Sequence, residues 1–399
     1  MNFNNFKNKN ICIISDCFVP SKNSASGMIY NLARSLSDEE AIVCCINGCQ
    51  VKAENLNKFD YNLKDIDLIQ INSLNKLRNK GMKFRLIYEI SLSIIMFLKI
   101  LFKIKFLRNL DLIIWYGPSS FLWFPTLLLK LISKAPVYYI LRDIFPDWLY
   151  QIGIIKVISF KILKLISYPQ YLIPTRVGVE SPENISIVSK YIKTKIDVLY
   201  NWPSLNNSTK RMKLKTNSNT YISGVYSGNI GVAQDFENVQ SFLKKVNLNK
   251  HIKINFFIPK ITNIKKFSKS YSESLKFHEG VSDLNLPKIL LSHQFGVVSL
   301  NRKLITNNLP GKFVSYTQFG LPILFFGHKK SKLASLINEF KCGIIIDLND
   351  GFVENQKKLE SFFSKIKSKN NLYSKNSKKL FINFFDIRNA KKILSKFLK

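Results

Sequence analysis

The residues of this chain best suited to anion chemistry lie in the run Tyr226-Ser-Gly-Asn-Ile-Gly-Val-Ala-Gln-Asp235. An extended stretch, Tyr221–Tyr226, leads into it, and Val232, Phe236, Val239, Phe242 and Leu243 follow at helical spacing. A strand that turns through Gly228 and Gly231 into a helix start can aim backbone N–H groups at an anion. The glycines allow a tight turn and let a phosphate approach without a Cβ in the way. Plain turn chemistry gives the same pattern, so a second feature in that half of the chain carries weight. It is Asn307-Asn-Leu-Pro-Gly-Lys312. Pro310 and Gly311 set up another helix start whose free N–H groups favour phosphate. Lys312 adds a full charge there, as a point-charge phosphate ligand. Arg302 and Lys303 stand just upstream and read equally as further cations of the site or as surface charges.

The first half offers two more candidates. In Tyr139-Ile-Leu-Arg-Asp-Ile-Phe-Pro-Asp-Trp148, Arg142 and Asp143 stand where the strand Val137–Leu141 ends, a position that points side chains into a cleft. Asp143 can take a proton from a hydroxyl nucleophile or orient it. Arg142 can neutralise a departing diphosphate, or the two can simply pair with each other. Asp147 reads as a helix cap. After the first strand, Ser15-Asp-Cys-Phe-Val-Pro-Ser-Lys-Asn-Ser-Ala-Ser-Gly27 is a small-residue loop entering a helix. Ser26 and Gly27 there suit either a phosphate or an acceptor hydroxyl, or merely a capped turn. The loop is neither GxGxxG nor a P-loop, which disfavours dinucleotide binding.

The elements that must position these residues read as a parallel α/β chain. In the first half the strand candidates are Ile11–Ser15, Ala41–Ile46, Leu68–Ile71, Leu112–Trp115, Val137–Leu141, Arg176–Val179 and Asp197–Leu199. In the second half they are Tyr221–Tyr226, Lys253–Phe257, Leu275–His278, Phe295–Ser299, Pro322–Phe326 and Gly343–Ile346. Helical spacing falls on Gly27–Ser37, Phe121–Ser133, Lys156–Ser167 and Phe313–Phe319. The lysine-rich polar stretch 204–219 reads as a linker. The expected architecture is two Rossmann-like doubly wound domains facing across a cleft, 1–203 and 220–399, with the last helix free to pack back on the first. At 399 residues each half is long enough to bury its own core.

Composition narrows the function classes. Sixty Lys and Arg against 26 Asp and Glu give a formal charge of +34, which attracts nucleic acid, anionic membranes or phosphorylated substrates. Lysine far outnumbers arginine and Asn, Ile and Phe are abundant, so part of the excess reads as codon bias. No aromatic-interleaved basic motif speaks for nucleic acid. Six cysteines are scattered without a paired CxxC set, and the start Met1-Asn-Phe-Asn-Asn-Phe-Lys7 is polar, which fits a reduced cytoplasmic protein. All four histidines lie in the second half, so no metal cluster is expected and no histidine serves as a base from the first. The apolar segment Phe84–Phe106 has an uncharged core, Ile90–Leu98, too short to span a bilayer. Lys99, Lys103 and Lys105 beside Phe97, Phe102 and Phe106 give it the character of an interfacial helix. A helix packed on the domain's own sheet fits it equally well.

Taken together these motifs resemble retaining glycosyltransferases of family 4, with the GT-B fold, over nearly the whole chain. The nearest likeness is to the branch holding the N-acetyl-L-fucosamine transferases of O-antigen and capsule clusters. It rests on Arg142-Asp-Ile-Phe-Pro-Asp-Trp148, Gly178-Val-Glu-Ser-Pro182, Leu199-Tyr-Asn-Trp202, Gly228–Asp235 and the N-x-P-G-K helix start Asn308–Lys312.

The resemblance implies a nucleotide-sugar, UDP-linked by expectation, held by the C-terminal domain, and an acceptor held by the N-terminal one. Gly228, Asn229 and Gly231 would line the donor diphosphate, with Lys312 as its cation and Arg302, Asn308, Gly311 and Ser315 beside it. Aligning on Gly320-Leu-Pro322 puts Asn307 and Ser315 where many relatives carry the two glutamates of E-x7-E, so ribose recognition by a carboxylate departs from the pattern here. Arg142-Asp143 occupies the place of a His-Asp pair. Such enzymes work without a bound metal, using protein cations and helix N-termini, so no cofactor is expected. The implied activity is transfer of a sugar such as N-acetyl-L-fucosamine to a polyprenyl-diphosphate-linked glycan. It would take place at the inner face of the cell membrane, on an anionic surface and without nucleic acid. Two other readings remain: a UDP-sugar 2-epimerase of the same fold, against which the lack of histidine in the first half speaks, and a non-catalytic protein that binds anionic surfaces.

Overall fold

A computed structural model describes the chain except residues 1–2, 22–23, 49–60, 78–80, 118, 143, 152, 154, 205–220, 231–233, 247, 249–250, 260–273, 283–284, 303–308, 369–370 and 399. The chain divides into two units. The first is Met1–Tyr200 with Ile387–Lys399, the second Asn201–Asp386.

The first unit is built on a seven-stranded parallel sheet. Its strands are β1 (Asn10–Ser15), β2 (Ile42–Gly48), β3 (Ile66–Ile71), β4 (Leu112–Tyr116), β5 (Val137–Leu141), β6 (Arg176–Val179) and β7 (Ile196–Val198), in the order β3-β2-β1-β4-β5-β6-β7. Strands β4 and β5 are buried at every residue, as expected of parallel strands covered on both faces. Register is set by apolar neighbours, with Ile13 beside Cys45 and Ile114, and Tyr139 beside Val177. The helices are α1 (Ser24–Ser37), α2 (Met82–Leu101), α3 (Ile104–Leu107), α4 (Trp123–Ser133), α5 (Asp147–Gln151), α6 (Val157–Ser167) and α7 (Pro182–Val188). Strand order reverses direction after β3. Right-handed crossovers therefore place α1 on one face of the sheet and α2, α3, α4 and α6 on the other.

The second unit holds a six-stranded parallel sheet of β8 (Ile222–Ser227), β9 (Ile252–Ile258), β10 (Leu275–Glu279), β11 (Phe295–Ser299), β12 (Ile323–Phe326) and β13 (Gly343–Ile346). Their order is β10-β9-β8-β11-β12-β13. Its helices are α8 (Phe236–Lys245), α9 (Leu286–Leu291), α10 (Gly311–Gln318), α11 (Lys332–Phe340), α12 (Phe352–Lys367) and α13 (Leu372–Leu380). The packing of β8 against β11, and of β11 against α10, needs glycine. A Cβ on Gly224 would lie 2.2 Å from the Phe295 ring, and one on Gly296 2.3 Å from the Tyr316 ring.

The final helix, α14 (Ile387–Phe397), belongs to the first unit. Lys391 pairs with Glu39, Asn5 donates to the Ser395 carbonyl, and the Phe397 ring meets Tyr138 edge-on at 5.6 Å. The second unit thus ends at Asp386. It begins at Asn201, whose Nδ2 donates to the Leu309 carbonyl at 3.3 Å. The expected linker lies almost wholly outside the described residues.

Candidate functional site

In the second unit, direction along the sheet reverses between β8 and β11, the position where open α/β sheets hold their ligands beyond the strand ends. The glycine run leaves β8 at this point, and the segment leading to α10 leaves β11 beside it.

Gly228 adopts φ +118°, a conformation reserved in practice for glycine. Its own N–H is engaged, donating to the Phe257 carbonyl at 3.0 Å. The residue contributes room in place of a hydrogen-bond donor. A Cβ built there would lie 3.6 Å from both Cε and Nζ of Lys312, which sets the glycine turn and the lysine side by side. The Lys312 stem is partly exposed but its ammonium is buried, with no hydrogen-bond acceptor among the described residues. It lies 3.4 Å from the centroid of the Tyr226 ring. A ring face attracts a cation but does not replace its lost hydration. Burial therefore pushes the Lys312 pKa well below the usual lysine range.

Two tyrosines fix this arrangement. Tyr226 donates its hydroxyl to the Asn229 carbonyl at 2.9 Å, pinning the glycine turn, and burial raises its pKa. Tyr316, on α10, accepts from the Ser227 N–H at 2.9 Å and ties that helix to the end of β8. Burial pushes its pKa up to about 12, so it stays a neutral hydroxyl. The sequence reading singled out neither tyrosine as a site residue. Their roles depend on contacts across the fold, and only the spacing Tyr226-x-Gly228 offered a local signal.

The remaining predicted donor residues fall around this core. Asn229 and Gly311 are exposed, while Arg302 and Ser315 are partly so. Helix α10 starts at Gly311, two residues before the expected Phe313, and no side chain caps it at Pro310. Ser315 donates back to the Gly311 carbonyl at 3.2 Å, within its own helix. Arg302 Nε stands 3.6 Å from the Asp235 carboxylate, so part of its charge is already balanced. Asp235 has φ +48° and directly precedes α8. Gly231, Asn307 and Asn308 lie outside the described residues.

In the first unit, Asp143 also lies outside the described residues, and Arg142 is buried. Arg142 Nη1 donates to the Leu199 carbonyl at 2.9 Å, and its guanidinium carbon sits 5.6 Å from the Tyr116 ring centroid. Burial raises the Tyr116 pKa to about 12 against the opposing pull of Arg142. Asp147 opens α5 and pairs with Lys164 at 2.9 Å. Ser26 and Gly27 are not in a loop. They are buried within the first turns of α1, which begins at Ser24, three residues before the expected start. Packing overrides the turn chemistry of that small-residue run. Among the described residues no group of three or more His, Cys, Asp and Glu side chains is arranged to hold a metal.

Comparison with protein-family profiles returns no match, and comparison with curated sequences returns none either. Solved structures do match over the full length. HepE from Anabaena, in complex with UDP, superposes with a TM-score of 0.64 at 10% identity, covering 98% of this chain and 99% of that one. WaaG, a glycosyltransferase involved in lipopolysaccharide biosynthesis, gives 0.65 at 9% identity over 98% and 99% of the two chains. TarM gives 0.68 at 9% identity over 99% of each. The chain has the GT-B fold.

Proposed function

We propose that this protein is a retaining glycosyltransferase that takes its sugar from a nucleoside diphosphate bound to the second unit. The observation that carries the reading is the Lys312 ammonium, buried beside Gly228 with no acceptor among the described residues, at the point where the sheet reverses. Such a cation gains most from a ligand that brings concentrated negative charge, and a pyrophosphate does so. The company of the fold supports the same direction: HepE has been crystallised with UDP and with UDP-glucose.

Leaving-group charge is the obstacle in this reaction, and preorganised electrostatics is the remedy. Lys312 and the uncapped N-terminus of α10 stabilise the diphosphate as the bond from the sugar C1 to its phosphate oxygen breaks. Arg302 adds what charge Asp235 leaves it. The acceptor hydroxyl oxygen bonds to C1 on the same face, and its proton passes to the departing phosphate oxygen. Configuration is thereby retained without an enzymic nucleophile. In this scheme Asp143 orients a reactant and is not an obligatory base, and Arg142 holds the end of β5 in place.

The finer reading follows the family resemblance: family 4, an N-acetylated deoxyhexosamine such as L-fucosamine, and a polyprenyl-diphosphate-linked acceptor in surface polysaccharide synthesis. WaaG, with its part in lipopolysaccharide biosynthesis, supports that setting. Action at the inner face of the cell membrane agrees with the +34 charge. The test is a screen of UDP-, GDP- and dTDP-sugars against a lipid-linked acceptor, scoring transfer and hydrolysis separately. Absence of nucleoside-diphosphate binding by calorimetry would overturn the proposal outright.

A further inference from the structure

Helix α6, Val-Ile-Ser-Phe-Lys-Ile-Leu-Lys-Leu-Ile-Ser, has the composition of a core helix, yet the only residue it buries is Ser167. Ile158 is 74% exposed and Leu165 77%, and Val157, Ile162 and Ile166 are exposed as well. Lys164 turns inward to Asp147, so the outward side of the helix is mostly apolar, the pattern of a helix that meets a partner or a lipid interface.

Helix α2 repeats the anomaly in a two-faced form. Tyr88, Leu92, Met96 and Ile100 recur every fourth residue and are buried in the core of the first unit. Ile87, Ile90, Ile94 and Leu98 form a second apolar stripe facing outward. Just beyond its C-terminus Phe102 is 87% exposed. The inward side of the helix packs on the domain's own core, one of the two readings of the segment Phe84–Phe106, and the outward stripe leaves room for the interfacial one. Since α2, α3, α4 and α6 cover the same face of the sheet, these surfaces share one flank. Of the 23 large apolar side chains exposed among the described residues, 17 fall between Phe84 and Leu172. An apolar surface of that size is rare on a protein that meets only water.

Charge identifies the occupant. Glu89 pairs with Arg85, Asp111 with Lys9, and Asp147 with Lys164. Lys99, Lys103, Lys105, Arg108, Lys156 and Lys161 are exposed around the apolar surface. Apolar side chains bordered by cations that form no ion pair among the described residues match a bilayer interface that carries anionic headgroups. Among the described residues no helix is long and apolar enough to cross a membrane, so the fit is to its surface.

We infer that the outer face of α2, α3 and α6 is a membrane-docking surface for anionic lipid bilayers, with α6 as its most deeply inserted element. This deepens the membrane part of the proposed function and rests on it only for the choice of membrane. The test is vesicle flotation, with phosphatidylcholine alone and with an equimolar mixture of phosphatidylcholine and phosphatidylglycerol. The native chain should float with the mixed vesicles, binding at least about tenfold more than to phosphatidylcholine alone and less as salt rises. A triple variant, Ile158→Ser, Ile162→Ser and Leu165→Ser, should lose flotation while keeping its melting temperature and its UDP binding. Val353→Ser, an exposed apolar site in the second unit, should float as the native chain does. Failure of the native chain to float, or flotation of the triple variant at the native level, overturns the inference. So does a native dimer that the triple variant converts to monomer with vesicle binding intact, which would give this face to a second copy. UDP calorimetry on the same samples keeps this outcome separate from the fate of the transferase proposal.

Discussion

Lys312 holds its ammonium 3.4 Å from the ring centroid of Tyr226, and a Cβ built on Gly228 would lie 3.6 Å from the same nitrogen. Residues 86 positions apart in sequence thus form one cation cradle, and Tyr226 also pins the turn that contains the glycine. Replacing the lysine with an uncharged side chain of similar length removes the charge and keeps the shape. Lys312→Met should lower turnover by roughly 10²–10³-fold, the scale seen when one preorganised charge-stabilising group is lost. Steady-state transfer assays with a UDP-sugar check this, and a loss below tenfold would contradict the role given to Lys312.

The lowered pKa of Lys312 has a thermodynamic signature. In the absence of nucleotide, the folded chain binds this proton less tightly than the unfolded chain, whose lysine titrates near the ordinary 10.5. Between the lowered value and 10.5 the unfolded state carries more protons, so this group makes stability rise with pH across that window. A bound diphosphate reverses the preference. UDP binding should then take up a proton in the same window and weaken as pH rises. Calorimetry in two buffers of different ionisation enthalpy measures the uptake, and Lys312→Met should abolish it.

Gly228→Ala tests the turn. At φ +118° an alanine is strained by about 1–3 kcal/mol, although its Cβ meets Lys312 only at ordinary contact distance. The variant should melt at a lower temperature and bind UDP more weakly, because a methyl group occupies the space over the ammonium. Thermal unfolding with and without UDP separates the two effects.

Arg142→Met should distinguish a positioning role from direct contact with the donor. Loss of the Nη1 bond to the Leu199 carbonyl is expected to cost about 1–3 kcal/mol of stability. UDP affinity should stay at the native level, since Lys312 and Gly228 belong to the other unit. A large fall in UDP affinity would show that the guanidinium meets the diphosphate itself. Asp143→Asn should retain near-native turnover if the leaving phosphate takes the acceptor proton.

The sheets were legible because parallel strands buried on both faces leave unbroken apolar runs, such as Val137–Leu141 and Phe295–Ser299, whose bounds match the structure. The nearness of Gly228 to Lys312 was not legible, since the sequence offered only two separate candidate anion sites. What escaped was long-range. Tyr316 reaches Ser227 across 89 positions, and no local pattern announces such a bond. Ser26 and Gly27 are residue types common in loops but lie buried in a helix, because packing outweighs weak local preference. Helix α6 shows the opposite case: its period and length were readable, while its exposure depends on what the rest of the layer leaves uncovered.

Because α14 closes onto elements encoded near the start, the first unit is discontinuous along the chain and the second is an insertion within it. A ribosome must therefore deliver all of the second unit before the first can be completed. A fragment cut at Tyr200 would leave the partners of Lys391 and Phe397 uncovered, so dissecting this protein calls for joining the α14 segment back onto residues 1–200.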